Sequence, residues 1–543
     1  LKPWVLLLLF FLACSCGADE IWIGRTRLPE GTRFVRLHLS GTGGTLEMAD
    51  TLAPDGSPLE KPFTLSALEL QDGRLRFTAA REGAELNFAG LQHADAALHT
   101  AAASGEIRRG TALGTFALLR LAGIPRMELD RYAGVYEFGD GGFVIVHFLQ
   151  ELGALTYVAY PSGRIGQLLP TRPGTFVSGP SLVVQFPVEL RVEIKAGRLE
   201  WREGGHVRLA RRRAFAEQDV VVESGGVRLA GTLTLPDGPS PHPAHPAHPA
   251  VILLHGGGPQ SRDFYWVAPF FARLGVAVLA YDKRGVGGST GDWRTASTAD
   301  LAADALAAVD FLRSRPGIDP RRVGLYGSSN GGWVAPFAAA RAPEKIAFLI
   351  ARSASGLPER ENVVYEVETD LRAHGFGEDV VRRMRALHER DMALVRDGGE
   401  GWNAYREELM KASAEPWFPL VRLPGKILEM NGENRPKIES WIAGERAQGW
   451  QPAEAWRKVR CPVLVQVGAA DEYVPGERSV EIISAALRAG GNGDATVALL
   501  PGGNHAMFEL PGGSTRNLAQ VTRFVPGYFT QLRDWISTRV SRR

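Results

Sequence analysis

Residues 325–333, Leu-Tyr-Gly-Ser-Ser-Asn-Gly-Gly-Trp, contain the pattern G-x-S-x-G centred on Ser329. The pattern specifies a backbone shape. The apolar segment Val323-Gly324-Leu325-Tyr326 predicts a strand running into Gly327, with Ser329 at the apex of a sharp turn and a helix starting near Gly331. Glycines two before and two after the apex leave room for a conformation that side chains would block. Such a turn pushes a serine oxygen out over the end of a sheet and aims the following amide at the same space. Ser329, rather than the adjacent Ser328, holds the apex. A chain with 63 glycines supplies the bare pattern by chance, so its meaning depends on its surroundings.

From Glu217 onward, strand and helix signals alternate. A hairpin-like segment, residues 220–223 and 227–235, leads into the continuous apolar runs 251–254 and 276–279. Residues 300–315 have helical spacing, with Leu301, Ala305, Ala308 and Leu312 on one stripe. This order predicts a mostly parallel sheet with helices on both faces. Catalytic groups of such sheets collect beyond the carboxyl ends of the strands.

A serine that transfers acyl groups needs a base within hydrogen-bond reach, an acid orienting that base, and donors for the oxyanion. On this class of sheet the chain order is Ser, then Asp or Glu, then His. Residues 462–467 form an apolar run leading into Gly468-Ala469-Ala470-Asp471, which puts Asp471 at a strand end, with Glu472 as a competing carboxylate. Residues 497–500 run into Pro501-Gly502-Gly503-Asn504-His505, and His505 is the one histidine after Asp471. Upstream, His255-Gly256-Gly257-Gly258-Pro259 follows the run 251–254. Its small residues free backbone amides, and the Gly257 amide with that of Asn330 is the expected oxyanion pair, Gly258 being the alternative. His255 is expected to hold the loop.

These segments resemble the α/β-hydrolase superfamily, and within it the serine esterase and S33-aminopeptidase-like branch. The resemblance is carried by Leu-Leu-His-Gly-Gly-Gly-Pro-Gln-Ser-Arg-Asp, Tyr-Asp-Lys-Arg-Gly-Val-Gly-Gly-Ser-Thr-Gly, Gly-Ser-Ser-Asn-Gly-Gly-Trp, Asp471 and His505, spread over residues 219–540. It implies an α/β-hydrolase fold and a serine hydrolase cleaving carboxylic esters of modest size through Ser329, His505 and Asp471, with no metal or organic cofactor. Asp282 and Arg284 are expected to form a structural pair. The family often has Gln or Met at position 330; Asn330 here keeps the amide and alters the pocket wall. The span between residues 350 and 462 is helical, charged and Trp-rich, and the resemblance makes it a cap over the serine, about residues 356–460. Trp402, Trp417, Phe418, Trp441, Trp450 and Trp456 then either line an acyl pocket or form the cap's own core. Peptide-bond cleavage by the same triad is an alternative, with Glu359, Glu361 or Glu366 receiving a substrate amine. A non-catalytic binding protein on a hydrolase scaffold is the reading from a different class.

The remaining regions are less specific. At 543 residues the chain is long enough for about three domains. Residues 22–122 and 126–213 show period-two alternation with tight turns, as in Val188, Leu190, Val192 and Ile194 against Glu189, Arg191, Glu193 and Lys195. They predict two small antiparallel β domains before a catalytic domain at 217–543. Arg211-Arg212-Arg213 reads as a solvated linker. Lys2 and the apolar run 5–13 predict a signal peptide over residues 1–18. It is cleaved either before Cys14, as in a lipoprotein held to a membrane, or before Asp19. The expected location is therefore the bacterial periplasm or cell envelope, or the medium. Cys461 reads as a packed core thiol. His242, His245 and His248 sit in a Pro-His-Pro-Ala repeat expected to be a solvated loop. A net charge of +2 without a basic stripe argues against nucleic acid. The expected partner is a small ester or peptide substrate, and the oligomeric state is left open.

Overall fold

A computed structural model of the chain describes residues 20–41, 43–48, 61–96, 98, 100–238, 247–422, 437–439, 442, 451–510 and 518–540. The leader, Cys14 and most of the His-Pro repeat lie outside the described residues. His248 lies inside them, at the start of a strand, with Nδ1 3.2 Å from the Gly275 carbonyl oxygen.

The C-terminal half is built on β1 (Ala216–Ser224), β2 (Val227–Leu235), β3 (His248–Leu254), β4 (Ala277–Tyr281), β5 (Ile318–Ser328), β6 (Leu349–Arg352), β7 (Val463–Gly468) and β8 (Ala495–Leu500). Their order across the sheet is 1-2-4-3-5-6-7-8. β2 runs antiparallel to β1 and β4, and the other neighbours are parallel. The composition of each strand follows from its place. β3, β4 and β7 are buried on both faces, which is why their sequences are mostly apolar; Gln466 is the polar exception in β7, and its Nε2 donates to the Tyr528 carbonyl and to Gln531 Oε1. Helices α1 (Val267–Arg273), α2 (Thr298–Arg313) and α3 (Gly331–Arg341) supply crossovers between the first five strands and β6. Ser297 caps α2 with a reciprocal capping box to Asp300.

Two charged residues behave differently from the sequence expectation. Asp282 and Arg284 are not partners. Asp282 accepts from the Arg262 guanidinium at 3.1 Å and from the amides of Arg262 and Gly288. Arg284 makes a bidentate pair with the buried Asp304 of α2, at 2.7 and 2.8 Å. The chain turns sharply after β4, so side chains two positions apart face different neighbours. Each finds the partner that offsets its own desolvation.

Residues 20–121 and 134–213 each form a closed antiparallel barrel of eight strands among the described residues. In the first, Glu20–Leu28 pairs with both Gly31–Ser40 and Ala112–Leu121. In the second, Gly134–Phe138 pairs with both Phe143–Leu149 and His206–Arg213. Closure removes exposed strand edges, and at this strand number side chains fill the interior. Phe77 stacks on Phe88 at 4.3 Å in the first barrel, and Tyr157 meets Trp201 edge-on at 5.0 Å in the second. The strand Leu190–Lys195 alternates buried and exposed as expected. Arg211, Arg212 and Arg213 are not a linker. They lie in the closing strand of the second barrel, where Arg213 pairs with Glu137 at 3.0 Å. That pairing is non-local and invisible in the local charge run.

The second barrel shares an apolar core with the sheet domain: Phe143, Val158 and Tyr160 pack with Phe270, Phe524 and Phe529. Between β6 and β7 lie α4 (Glu359–Ala373), α5 (Glu378–Arg396) and α6 (Trp402–Ala412). They surround a core of their own that contains Trp402 and Trp417, with Phe418 packed against it. Trp456 belongs instead to the core beneath the sheet. None of these three tryptophans is free to line a pocket, and Trp441 and Trp450 lie outside the described residues. Cys461 is buried, and burial pushes its thiol up to about 12, so it packs as an inert apolar group.

Candidate active site

The turn at Ser329 has the backbone that the glycine spacing predicts. Ser329 has φ of +55°, a left-handed conformation that costs a β-carbon-bearing residue energy. The flanking glycines are required by contact. A Cβ on Gly327 would lie 2.1 Å from the Gly331 carbonyl oxygen, and one on Gly331 would lie 2.5 Å from that of Leu254. The Ser329 amide donates to the Arg352 carbonyl at 2.9 Å, which ties the turn to the end of β6.

Asp471 and His505 arrive from the ends of β7 and β8. Ser329 Oγ lies 2.9 Å from His505 Nε2, and His505 Nδ1 lies 2.9 Å from both carboxylate oxygens of Asp471. Asp471 Oδ1 also accepts from the amides of Tyr473 and Val474, each at 2.9 Å, so its own loop orients the carboxylate. This geometry fixes the imidazole with Nδ1–H donating to Asp471 and Nε2 open to the serine proton. Glu472, the competing carboxylate, points elsewhere: its Oε2 accepts from the His505 backbone amide at 3.2 Å. Burial pushes the Glu472 carboxyl up to about 7, with Asp471 adding to the shift and His505 opposing it.

The His505 side chain is 14% exposed. Burial disfavours the imidazolium, but the Asp471 carboxylate and its hydrogen bond outweigh it, Glu472 adds to them and Arg352 opposes. The ring is therefore held above its ordinary value. A general base works only when neutral, so kcat/KM is expected to fall with decreasing pH through a limb above about 6.5. In Asp471→Asn that limb moves to lower pH, because the charge favouring the imidazolium is gone. A pH–rate profile whose acid limb is the same in both proteins would contradict this assignment.

Gly257 lies in the loop after β3, and Asn330 follows Ser329 as the residue that opens α3. Among the described residues, neither amide donates a backbone hydrogen bond in the surrounding turns. His255 is buried against Tyr281 and Phe264, and burial pushes its imidazole down to about 3, so it is a neutral packing group. Among the described residues, no group of three or more His, Cys, Asp or Glu side chains is arranged to hold a metal ion.

Several groups at the site carry no local sequence signal. Arg352 Nε donates to Ser328 Oγ at 3.1 Å and Nη1 to the Ala506 carbonyl at 3.3 Å, bridging the serine turn and the histidine loop. Ser353 Oγ donates to the His505 carbonyl at 2.7 Å. Asn504 Oδ1 accepts from the amides of Ala506 and Phe508 and shapes the same loop. The ring of Tyr473 meets His505 edge-on at 4.9 Å. From the cap, Tyr365 donates its hydroxyl to the Asp471 carbonyl at 2.8 Å, and Asn362 donates to that of Tyr473 at 2.8 Å. Of the cap glutamates, Glu361 pairs with Arg478 at 3.0 Å, on the surface. Glu366 lies nearer the triad and is engaged by Arg422, which also pairs with Asp370 at 2.8 Å. Burial pushes the Glu366 carboxyl up to about 7 against the pull of Arg422.

The family model described as the alpha/beta hydrolase family matches residues 251–514. An uncharacterized protein of Mycobacterium tuberculosis is 36% identical over 311 residues, which are 57% of this chain and 79% of that protein. A thiohydrolase of Aspergillus aculeatus is 34% identical over 109 residues, 20% of this chain and 32% of that protein. Among solved structures, Est1E from Butyrivibrio proteoclasticus with ferulic acid bound is 19% identical. Its TM-score is 0.35, over 59% of this chain and 96% of that one. With its sheet order, its serine turn and the match across residues 251–514, the chain belongs to the alpha/beta hydrolase family.

Proposed function

We propose that the protein is a serine hydrolase of carboxylic esters that works through an acyl-enzyme. One observation carries this reading: the unbroken chain from Ser329 Oγ to His505 Nε2 and from His505 Nδ1 to Asp471. Ser329 Oγ attacks the acyl carbon and its proton passes to His505 Nε2. The carbonyl oxygen becomes an oxyanion held by the Gly257 and Asn330 amides. The C–O bond to the leaving group breaks as His505 returns the proton to the departing alcohol. Water then attacks the acyl-enzyme, with His505 taking its proton, and Ser329 leaves with that proton as the acid departs. Asp471 stabilises the imidazolium in both halves.

Esters are favoured over peptides with a free amine because Glu366, a cap glutamate within electrostatic reach of His505 and Asp471, is already engaged by Arg422. A panel of p-nitrophenyl acyl esters, an acyl thioester (included because a relative is named a thiohydrolase) and amino-acid anilides tests the assignment. Ester turnover should dominate, and a fluorophosphonate should label Ser329. Strong anilide turnover with negligible ester turnover would sink the ester reading, and an unlabelled Ser329 in folded protein would sink the hydrolase reading.

A further inference from the structure

Lys283 is buried, 5% exposed, beyond the end of β4. A lysine is seldom enclosed without a reason, since its ammonium loses water that must be replaced by hydrogen bonds. Its Nζ donates to the carbonyls of Gly256 at 2.9 Å and Gly258 at 3.2 Å, and its amide donates to that of Gln260 at 3.0 Å. Burial pushes the ammonium down to about 8. All three contacts fall on the loop after β3.

That loop has a mechanical problem. Gly256, Gly257 and Gly258 are consecutive, and three glycines reorient their peptide units with little steric resistance. An oxyanion donor is useful only if its dipole is already aimed before charge develops. In a planar trans peptide the carbonyl oxygen and the amide hydrogen project to opposite sides. The carbonyl of Gly256 and the N–H of Gly257 belong to one such unit, so holding the oxygen toward Lys283 turns the Gly257 N–H the other way. The loop abuts the nucleophile, since a Cβ on Gly256 would lie 3.5 Å from Ser329 Cβ. The other donor is fixed by the same device: the Ser329 carbonyl accepts from the Gly332 amide at 2.7 Å, which sets the plane carrying the Asn330 N–H.

We propose that Lys283 is a positioning residue for this reaction, holding the carbonyls of Gly256 and Gly258 so that the Gly257 amide is presented to the oxyanion. The proposal rests on the reading of Gly257 as a donor, and the test separates the two. In the full chain, Lys283→Met removes the donors and keeps the apolar stem. Its kcat should fall about 10–100-fold with KM changed by less than about twofold, because the lost alignment matters only once the oxyanion forms. Affinity for a trifluoromethyl ketone, whose adduct places an oxyanion in the same space, should fall by the same factor. Lys283→Arg, which keeps several N–H donors, should recover part of both at a similar Tm. Equal kcat in Lys283→Met and the parent protein, equal losses in both variants, or failure of both to fold would overturn the positioning role. Gly257→Pro removes the donor itself. If it retains full kcat, the assignment of Gly257 fails; if it loses kcat while Lys283→Met does not, only the role of Lys283 fails.

Discussion

Ser329→Ala is expected to lose about 10⁵–10⁶ in kcat on a p-nitrophenyl ester, and His505→Ala about the same. The double variant should be no worse than either alone, because nucleophile and base act as one unit joined at 2.9 Å. Asp471→Asn should lose less, about 10⁴, since the remaining pair still works once the imidazole finds the right tautomer. Turnover should stay above the uncatalysed rate in all of them if the oxyanion donors and the binding site are intact. Ser328→Ala is the informative neighbour. Its hydroxyl is buried and accepts from Arg352 rather than from His505, so the loss should be small beside that of Ser329→Ala. Steady-state kcat for the four single variants and the double decides the matter. Additive losses in the double variant, or a Ser328→Ala loss equal to that of Ser329→Ala, would dismantle the assignment.

How far the sequence discloses this site depends on how local each cause is. Ser329, Asp471 and His505 each follow directly on an apolar strand, in a turn rich in glycine or small residues, so a pattern over a few residues locates them. The parallel sheet is legible for a similar reason: strands buried on both faces are dominated by apolar residues, as 251–254 and 277–281 are. Arg352 and Lys283 are illegible because their partners are chosen by folding. Arg352 reaches the carbonyl of Ala506, and Lys283 reaches back to Gly256; no spacing rule connects either pair. The tryptophans of the cap fail for another reason. A large aromatic ring serves a core and a pocket equally well, and only packing distinguishes Trp417 in a closed core from a wall residue. The Arg211-Arg212-Arg213 run misleads because solvated linkers and barrel rims share a composition. Strand pairing to Gly134–Phe138 decides between them.

The same non-local logic ties the second barrel to the loop that carries the base. Phe524→Ala is expected to cost about 3–5 kcal/mol of stability, and to lower kcat as well. Phe524 is almost fully buried, with its ring against Trp266, Phe508 and Phe529 at 4.9–5.1 Å. Its amide donates to the Gly163 carbonyl of the second barrel at 2.8 Å, and Leu182 and Ile165 of that barrel donate to the carbonyls of Val521 and Thr522. On the other side of the same segment, Val525 donates to the carbonyl of Met507 at 2.8 Å, and Glu509 to that of Arg523 at 2.9 Å. Met507 is two residues from His505. Residues 521–525 therefore lie between the barrel and the loop that carries the base, bonded to both. Phe77→Ala, an equivalent truncation in the core of the first barrel, touches none of these groups. It should lower stability while leaving kcat unchanged at temperatures where the protein stays folded. Urea unfolding gives the stability losses, and kcat well below the transition gives the catalytic ones. If both variants keep full kcat, the segment that joins the second barrel to the base loop gives the site no support. If only Phe524→Ala loses it, that segment is a supporting wall of the active site.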